Sequence, residues 1–172
     1  MRKISCVSIA VRIVFTALCI LLTGFIFYNS IQTAENSSQA SEKVVVVVQG
    51  VASAVAPNSA IATATGADYD ALHAFVRKLG HFSEFAMLGC FLVWCVCTYT
   101  EKKSRLWIPL ACVATIAVAD ECLQIFISGR GAEIVDVLTD VLGGICGGGI
   151  AFFAFWLGSV WISKLLTQKK RG

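Results

Sequence analysis

The polar residues of this sequence that can do chemistry lie at the ends of long apolar stretches. They fall in three groups, around positions 77–84, 120–130 and 136–140. Because ionisable groups at membrane depth are costly, a cluster of them is by default a functional site. The candidate binding residues are Arg77, Lys78, His81, Glu84, Asp120, Glu121, Gln124, Arg130, Asp136 and Asp140.

Acid–base chemistry on a phosphate-containing substrate is one activity that these side chains suit. His81 is the natural general acid or base, and Glu84 or Asp136 would orient its ring. Arg77 and Arg130 would hold a phosphate. The residues considered for catalytic roles are His81, Glu84, Asp120 and Asp136. No GxSxG, P-loop or HExxH motif is present, so no recognised nucleophile or metalloprotease signature supports this reading.

A divalent metal is a second possibility that the same residues leave open. One imidazole and several carboxylates suit Mn²⁺, Mg²⁺ or Zn²⁺. The weak candidate ligands are His81, Glu84, Asp120 and Asp136. Three basic residues stand against six acidic ones in this region when Glu133 is included, a net charge of −3. That excess can attract a cation, or some carboxyls stay protonated, so the sequence assigns no cofactor.

The elements that must position these residues are four apolar stretches, at about 13–28, 85–100, 106–127 and 141–162. With their flanks they predict membrane spans at about 9–28, 80–100, 106–127 and 138–162, each able to cross a hydrocarbon core of about 30 Å. The chain is 57% hydrophobic and 15% charged, which indicates a membrane protein and no nucleic-acid partner. We therefore predict one all-α domain over residues 1–172, a bundle of four transmembrane helices.

The basic residues predict how the bundle is oriented. Ten of the 14 precede the first span, lie in the second loop or close the chain: Arg2, Lys3, Arg12, Lys102, Lys103, Arg105, Lys164, Lys169, Lys170 and Arg171. The positive-inside rule then places both termini in the cytoplasm and the polar residues at the outer face. No small-x-small cleavage site follows Tyr28, so we expect a retained anchor and not a cleaved signal peptide.

The long connection at 29–71 is expected to lie outside the cell and to carry an interfacial helix. Its apolar run at 44–56 is too short to span, and Ser38 or Ser41 would be its N-cap. The five consecutive valines at 44–48 suit a strand equally well. Asp68 or Asp70 would cap a long helix that enters the second span.

Helical spacing predicts that the polar groups converge. At about 100° per residue, Arg77, His81 and Glu84 share one face of a helix. Asp140 shares a face with Gly143 and Gly147, a spacing typical of close helix contacts in membranes. The polar groups of the three helices are therefore expected in one outward-opening cavity. Within it, an arginine is the natural partner for Asp120.

The three polar segments also resemble a known family. Residues 77–85, 120–130 and 136–143 read RKLGHFSEF, DECLQIFISGR and DVLTDVLG. In this order they are similar to the VanZ-like pattern R-K-x-x-H-F-x-E-Y, D-E-x-x-Q-x-F-x-x-G-R and D-x-x-x-N-x-x-G. Phe85 replaces a frequent tyrosine, and Asp140 replaces the usual asparagine, which adds a carboxylate to the site.

This resemblance implies a small multi-pass protein of the bacterial cell membrane, from a family whose namesake is associated with lowered susceptibility to teicoplanin. Two functions fit. The first is binding or modulation of an envelope component (a lipid headgroup, a cell-wall precursor or a glycopeptide), with the lipid bilayer as the general partner. The second is an enzyme that modifies a lipid-linked substrate at the outer leaflet. A buried ion-pair network that only fixes helix register is the structural alternative.

Overall fold

A computed structural model describes residues 9–100 and 104–169, and the regular structure within those residues is entirely helical. The helices are α1 (Ile9–Ser30), α2 (Ala34–Val55), α3 (Ala67–Tyr99), α4 (Ser104–Gln124) and α5 (Ile134–Lys169). The predicted all-α fold is confirmed, and the valine run at 44–48 is helical.

Four of these helices are long and apolar enough to cross a membrane. The candidate spans are Ile9–Ser30, Ala67–Tyr99, Arg105–Gln124 and Ile134–Gly158. Only 11–33% of the residues in their apolar windows are buried inside the protein, so most of this apolar surface is available to lipid. By helical rise α3 is about 50 Å long, more than a hydrocarbon core of about 30 Å requires.

Helix α3 lies at the centre of the bundle. It packs against each of the other helices, most extensively against α5. The buried core contains Ile26 of α1, Phe85 and Leu88 of α3, and Val113 and Ala117 of α4. Because α3 contacts every neighbour, the polar side chains near its middle are held against the ends of three other helices.

Glycines allow α3 and α5 to approach backbone to backbone, as predicted from the sequence. A Cβ on Gly143 would collide with the carbonyl group of Phe82, and one on Gly147 with that of Ala86. The close contact at both glycines is therefore confirmed. It fixes the rotation of α5, and with it the direction in which Asp140 points.

Helix α2 differs from the sequence prediction in its start and length. It begins at Ala34 and has 22 residues, and Thr33 is its N-cap through a hydrogen bond from the backbone N–H of Asn36. The prediction of Ser38 or Ser41 as N-cap was wrong, since both lie inside the helix. The Ser-rich segment offered several possible caps and no apolar periodicity with which to choose among them.

The start of α3 also differs from the prediction. Gly66, with a positive φ of 56°, occupies the N-cap position, and no side chain caps the helix there. Asp68 and Asp70 were expected to cap the helix, but both lie in its first turn. In that position their carboxylates still interact favourably with the helix dipole.

The orientation prediction rests on basic residues near the two termini and in the connection between α3 and α4. Arg2, Lys3, Lys102, Lys103, Lys170 and Arg171 lie outside the described residues. The cytoplasmic placement of both termini therefore stays a prediction.

Candidate functional site

The polar side chains meet where four helices come together. The end of α1, the middle of α3, the end of α4 and the start of α5 contribute to one cluster, together with Arg130 from the segment between α4 and α5. The sequence prediction that three helical faces converge is therefore consistent with the structure. The pairing within the cluster is different from the one expected.

Asp120 is fully buried and is held by neutral groups. Its Oδ2 accepts a hydrogen bond of 2.6 Å from the Ser30 hydroxyl and a longer one, 3.4 Å, from the Gln124 amide. Its Oδ1 is buried and has no hydrogen-bond partner among the described residues. The expected arginine partner was wrong, because Ser30 and Gln124 donate to Oδ2 and no arginine of the cluster lies within ion-pair distance of the carboxylate.

Asp140 is the least satisfied group in the cluster. Its side chain is 0% exposed, and neither carboxylate oxygen has a hydrogen-bond partner among the described residues. A buried polar group without a partner costs about 1–3 kcal/mol, and more when it is charged. The fold therefore maintains an unfavourable arrangement at this position.

His81 faces the two buried aspartates. One potential ligand atom from each of His81, Asp120 and Asp140 lies within 4.8 Å of the other two. This is the group of potential metal ligands found among the described residues. It differs from the four candidates named from the sequence, since Asp140 takes part and Glu84 and Asp136 do not.

Glu84 and Asp136 also do not orient the His81 ring in the expected way. Asn29 donates a hydrogen bond of 2.7 Å from Nδ2 to Glu84 Oε1, and Asp136 forms an ion pair with Lys78. The second oxygen of Glu84 is buried without a partner among the described residues. The contacts that were predicted to orient the His81 ring for acid–base chemistry are therefore not formed among the described residues.

Lys78 forms ion pairs with acidic residues at and just before the start of α5. Its ammonium contacts Asp136 at hydrogen-bond range and lies 3.8 Å from the Glu133 carboxylate. These contacts tie α3 to the start of α5. Since the Lys78 and Asp136 side chains are 34% and 24% exposed, solvent weakens the pair.

Glu121 joins the end of α4 to the start of α5. Its Oε1 accepts a hydrogen bond of 2.8 Å from Gln124, and its Oε2 accepts one of 2.9 Å from the backbone N–H of Glu133. A carboxylate beside the first turn of a helix is also favoured by the helix dipole. Both oxygens of Glu121 are occupied, so its contacts are structural.

Two arginines stand in the cluster without a carboxylate partner. Among the described residues, neither Arg77 nor Arg130 lies within ion-pair distance of an acidic group, and Arg130 donates through Nη1 to the Ser30 carbonyl at 3.1 Å. Burial, and after it the nearby charge of Arg77, lowers the pKa of Arg130 from its ordinary value. Two neighbouring half-buried cations of this kind favour an anionic ligand.

Two cavities meet at these cations. The larger, about 650 Å³, lies between α2 and α3, and the smaller, about 100 Å³, lies beside the start of α5. Arg77, His81 and Arg130 line both. The larger cavity is polar where Asn29, Glu84 and the first half of α2 contribute, and apolar along the second half of α2 and part of the first half of α3. The apolar side chains that line it are Val44, Val48, Val76 and Leu79.

Asn29 and Ser30 are the contributors that the sequence reasoning missed. They end α1, and their side chains bind Glu84 and Asp120. The available signal was the abrupt change from an apolar span to a polar pair at its last residues. Because such a change also marks an ordinary loop, it did not single them out.

The fold and the composition of the helices define a membrane protein with several spans. The VanZ/LLP1 family matches residues 15–156, nearly the whole chain, and the protein belongs to this family. Searches of curated proteins and of solved structures returned no match.

Proposed function

We propose that this protein acts in the cell envelope by binding an anionic lipid headgroup, or the head of a lipid-linked cell-wall precursor, at the cavity between α2 and α3. The observation that carries the proposal is the pair Arg77 and Arg130. They line the cavity and have no carboxylate partner among the described residues, whereas the neighbouring Lys78 is paired. A phosphate that accepts hydrogen bonds from both guanidinium groups would relieve their repulsion.

The shape of the cavity supports an amphiphilic ligand. At about 650 Å³ it falls within the usual range of small-molecule sites, roughly 300–1,000 Å³. Its cationic end contains Arg77, and Val44 and Val48 line the side formed by α2. A ligand with a charged head and an apolar chain would match both parts at once.

The proposal includes an orientation. Both termini would be cytoplasmic, and α2 would lie at the outer membrane–water interface above the cavity. There its polar residues would contact headgroups, and the valines of its second half would contact acyl chains or the ligand. Cysteine-accessibility labelling should find a cysteine at Ser104 reactive only from the cytoplasmic side and one at Lys43 only from outside. Labelling of position 104 from outside would reverse the orientation.

Family membership suggests a consequence for antibiotic response. We propose that headgroup binding alters the outer leaflet, or access to a cell-wall precursor, so that susceptibility to teicoplanin-type glycopeptides falls. Cells that express the wild-type chain should then tolerate more teicoplanin than cells that express an Arg77→Gln, Arg130→Gln double variant at equal membrane levels. Equal susceptibility of the two strains would refute this role and would leave the binding proposal to its own test.

Headgroup selectivity of the purified protein tests the binding proposal. The protein in non-ionic detergent is titrated with dioleoyl phosphatidic acid and, separately, with dioleoylglycerol, which has the same chains and no phosphate. Charge-assisted hydrogen bonds contribute about 1.5–3 kcal/mol each, so the phosphate lipid should bind at least about tenfold tighter. Equal affinity for the two lipids would contradict a phosphate site.

An enzyme acting on such a lipid is the second candidate, favoured by the position of His81 at the junction of both cavities. The variant His81→Ala distinguishes the two functions. In an acid–base enzyme, His81→Ala should reduce turnover of a lipid-linked substrate by about 10²–10⁴-fold. In a binding protein no turnover is found, and the variant changes only the affinity for the headgroup.

A further inference from the structure

Headgroup binding does not explain why α4 and α5 carry two buried carboxylates. Asp120 and Asp140 are both 0% exposed. Three of their four carboxylate oxygens have no hydrogen-bond partner among the described residues. Neither arginine of the cluster is within ion-pair distance of them, and Lys78 is engaged by Asp136.

The geometry around these oxygens resembles an incomplete coordination sphere. Potential ligand atoms of His81, Asp120 and Asp140 lie within 4.8 Å of one another, and the three residues come from α3, α4 and α5. Ligands bonded at about 2.0–2.2 Å can stand up to about 4.4 Å apart across one ion. Small side-chain rotations therefore suffice for the three atoms to share a cation.

We infer that His81, Asp120 and Asp140 bind a divalent first-row transition metal. Two carboxylates and a neutral imidazole supply two negative charges, which a divalent cation neutralises. The cation also gives partners to oxygens that have none among the residues the structure describes. The imidazole argues against Mg²⁺ and Ca²⁺, which prefer all-oxygen sites, and the two carboxylates suit Mn²⁺ or Zn²⁺.

The surroundings of the three residues are suited to hold the ion. The Ser30 hydroxyl binds the second oxygen of Asp120 and fixes the orientation of that carboxylate. Such supporting hydrogen bonds orient the ligands in known metal sites. Three protein ligands leave coordination positions free, and His81 lies on the side of the two cavities.

The cysteine content of the chain determines which metal is the better probe. The chain has eight cysteines, and thiolates select zinc over manganese. Mn²⁺ therefore reports on the carboxylate–imidazole site with less background. The protein in detergent is treated with EDTA, freed of the chelator and titrated with MnCl₂ alone, with calorimetry and the electron paramagnetic resonance of free Mn²⁺ as readouts.

One ion should bind per chain, and Asp140→Ala should weaken that binding by more than about 100-fold, beyond the usual effect of losing a supporting group. Asp70→Ala, which removes an exposed aspartate of α3, is the matched control and should bind like the wild type. Added Mn²⁺ should raise the unfolding temperature of the wild type and of the control but not that of Asp140→Ala.

The inference fails if the wild type binds no Mn²⁺ up to about 1 mM, or if Asp140→Ala binds it as well as Asp70→Ala does. His81→Ala gives a second test of the same ligands, and unchanged binding there would also overturn the site. Because no lipid is present, a negative result leaves the headgroup proposal untouched. A negative lipid titration likewise leaves the metal site untouched.

Discussion

Helices α3 and α5 meet in two adjoining regions. One is closely packed, and the other contains buried polar atoms without hydrogen-bond partners among the described residues. Around Gly143 and Gly147 the two backbones touch, and the packing leaves no space for a side chain. One turn earlier along α5, Asp140 is buried with neither oxygen partnered among the described residues. The first region contributes stability, and the second lowers it. Unfavourable groups held in place by a rigid neighbouring contact are expected where a protein binds something.

The largest expected effect is at the glycine contact. Gly147→Leu should lower the free energy of unfolding by about 3 kcal/mol, the upper end of typical overpacking costs, because the new side chain meets the backbone carbonyl of Ala86. Thermal unfolding in detergent measures it. Gly149→Leu is the matched control, since a Cβ there has no neighbour within 4 Å. If the two variants unfold at the same temperature, the glycine contact does not stabilise the bundle.

A change of the opposite sign is expected at Asp140, about two turns before Gly147. In the presence of EDTA, Asp140→Ala should raise the free energy of unfolding by about 1–2 kcal/mol, because it removes two unpartnered oxygens and leaves only a small cavity. The exposed aspartate variant Asp70→Ala should stay within about 0.5 kcal/mol of the wild type. A destabilised Asp140→Ala protein would mean that the carboxylate is part of a structural network.

A smaller effect is expected at the ion pair beside this region. Lys78→Met should cost about 0.2–1 kcal/mol, because the Lys78 and Asp136 side chains are partly exposed and solvent screens their attraction. A double-mutant cycle with Asp136→Asn isolates the pair, and its coupling energy should fall in high salt. A coupling of several kcal/mol that is insensitive to salt would contradict the partly exposed geometry.

The difference between the two regions also explains what the sequence could predict. The glycine contact, on the same helix face as Asp140, followed from helical periodicity, which depends only on residue spacing. The four spans followed from length and hydropathy. In each case one helix carries the information by itself.

The partners within the polar cluster depend on several elements at once. Lys78 and not Arg77 binds Asp136, a choice set by about 100° of helix rotation between adjacent residues. Ser30 reaches Asp120 only because α1 ends beside α4. The spacing of residues within α1 or within α4 carries no information about how close the two helices lie. Most members of the cluster could therefore be predicted from the sequence, but several of their contacts could not.

The central claim, that the polar cluster binds a ligand and is not merely a register-fixing network, is tested most directly by measuring binding and stability on one variant. The Arg77→Gln, Arg130→Gln double variant should lose at least about tenfold in affinity for dioleoyl phosphatidic acid. Its free energy of unfolding should change by no more than about 1 kcal/mol, the value of the hydrogen bond from Arg130 to the Ser30 carbonyl. Lys43→Gln, at an exposed position of α2, is the control and should change neither quantity. Unchanged affinity together with a loss of about 3–5 kcal/mol, as when a buried ion pair is broken, would contradict the account.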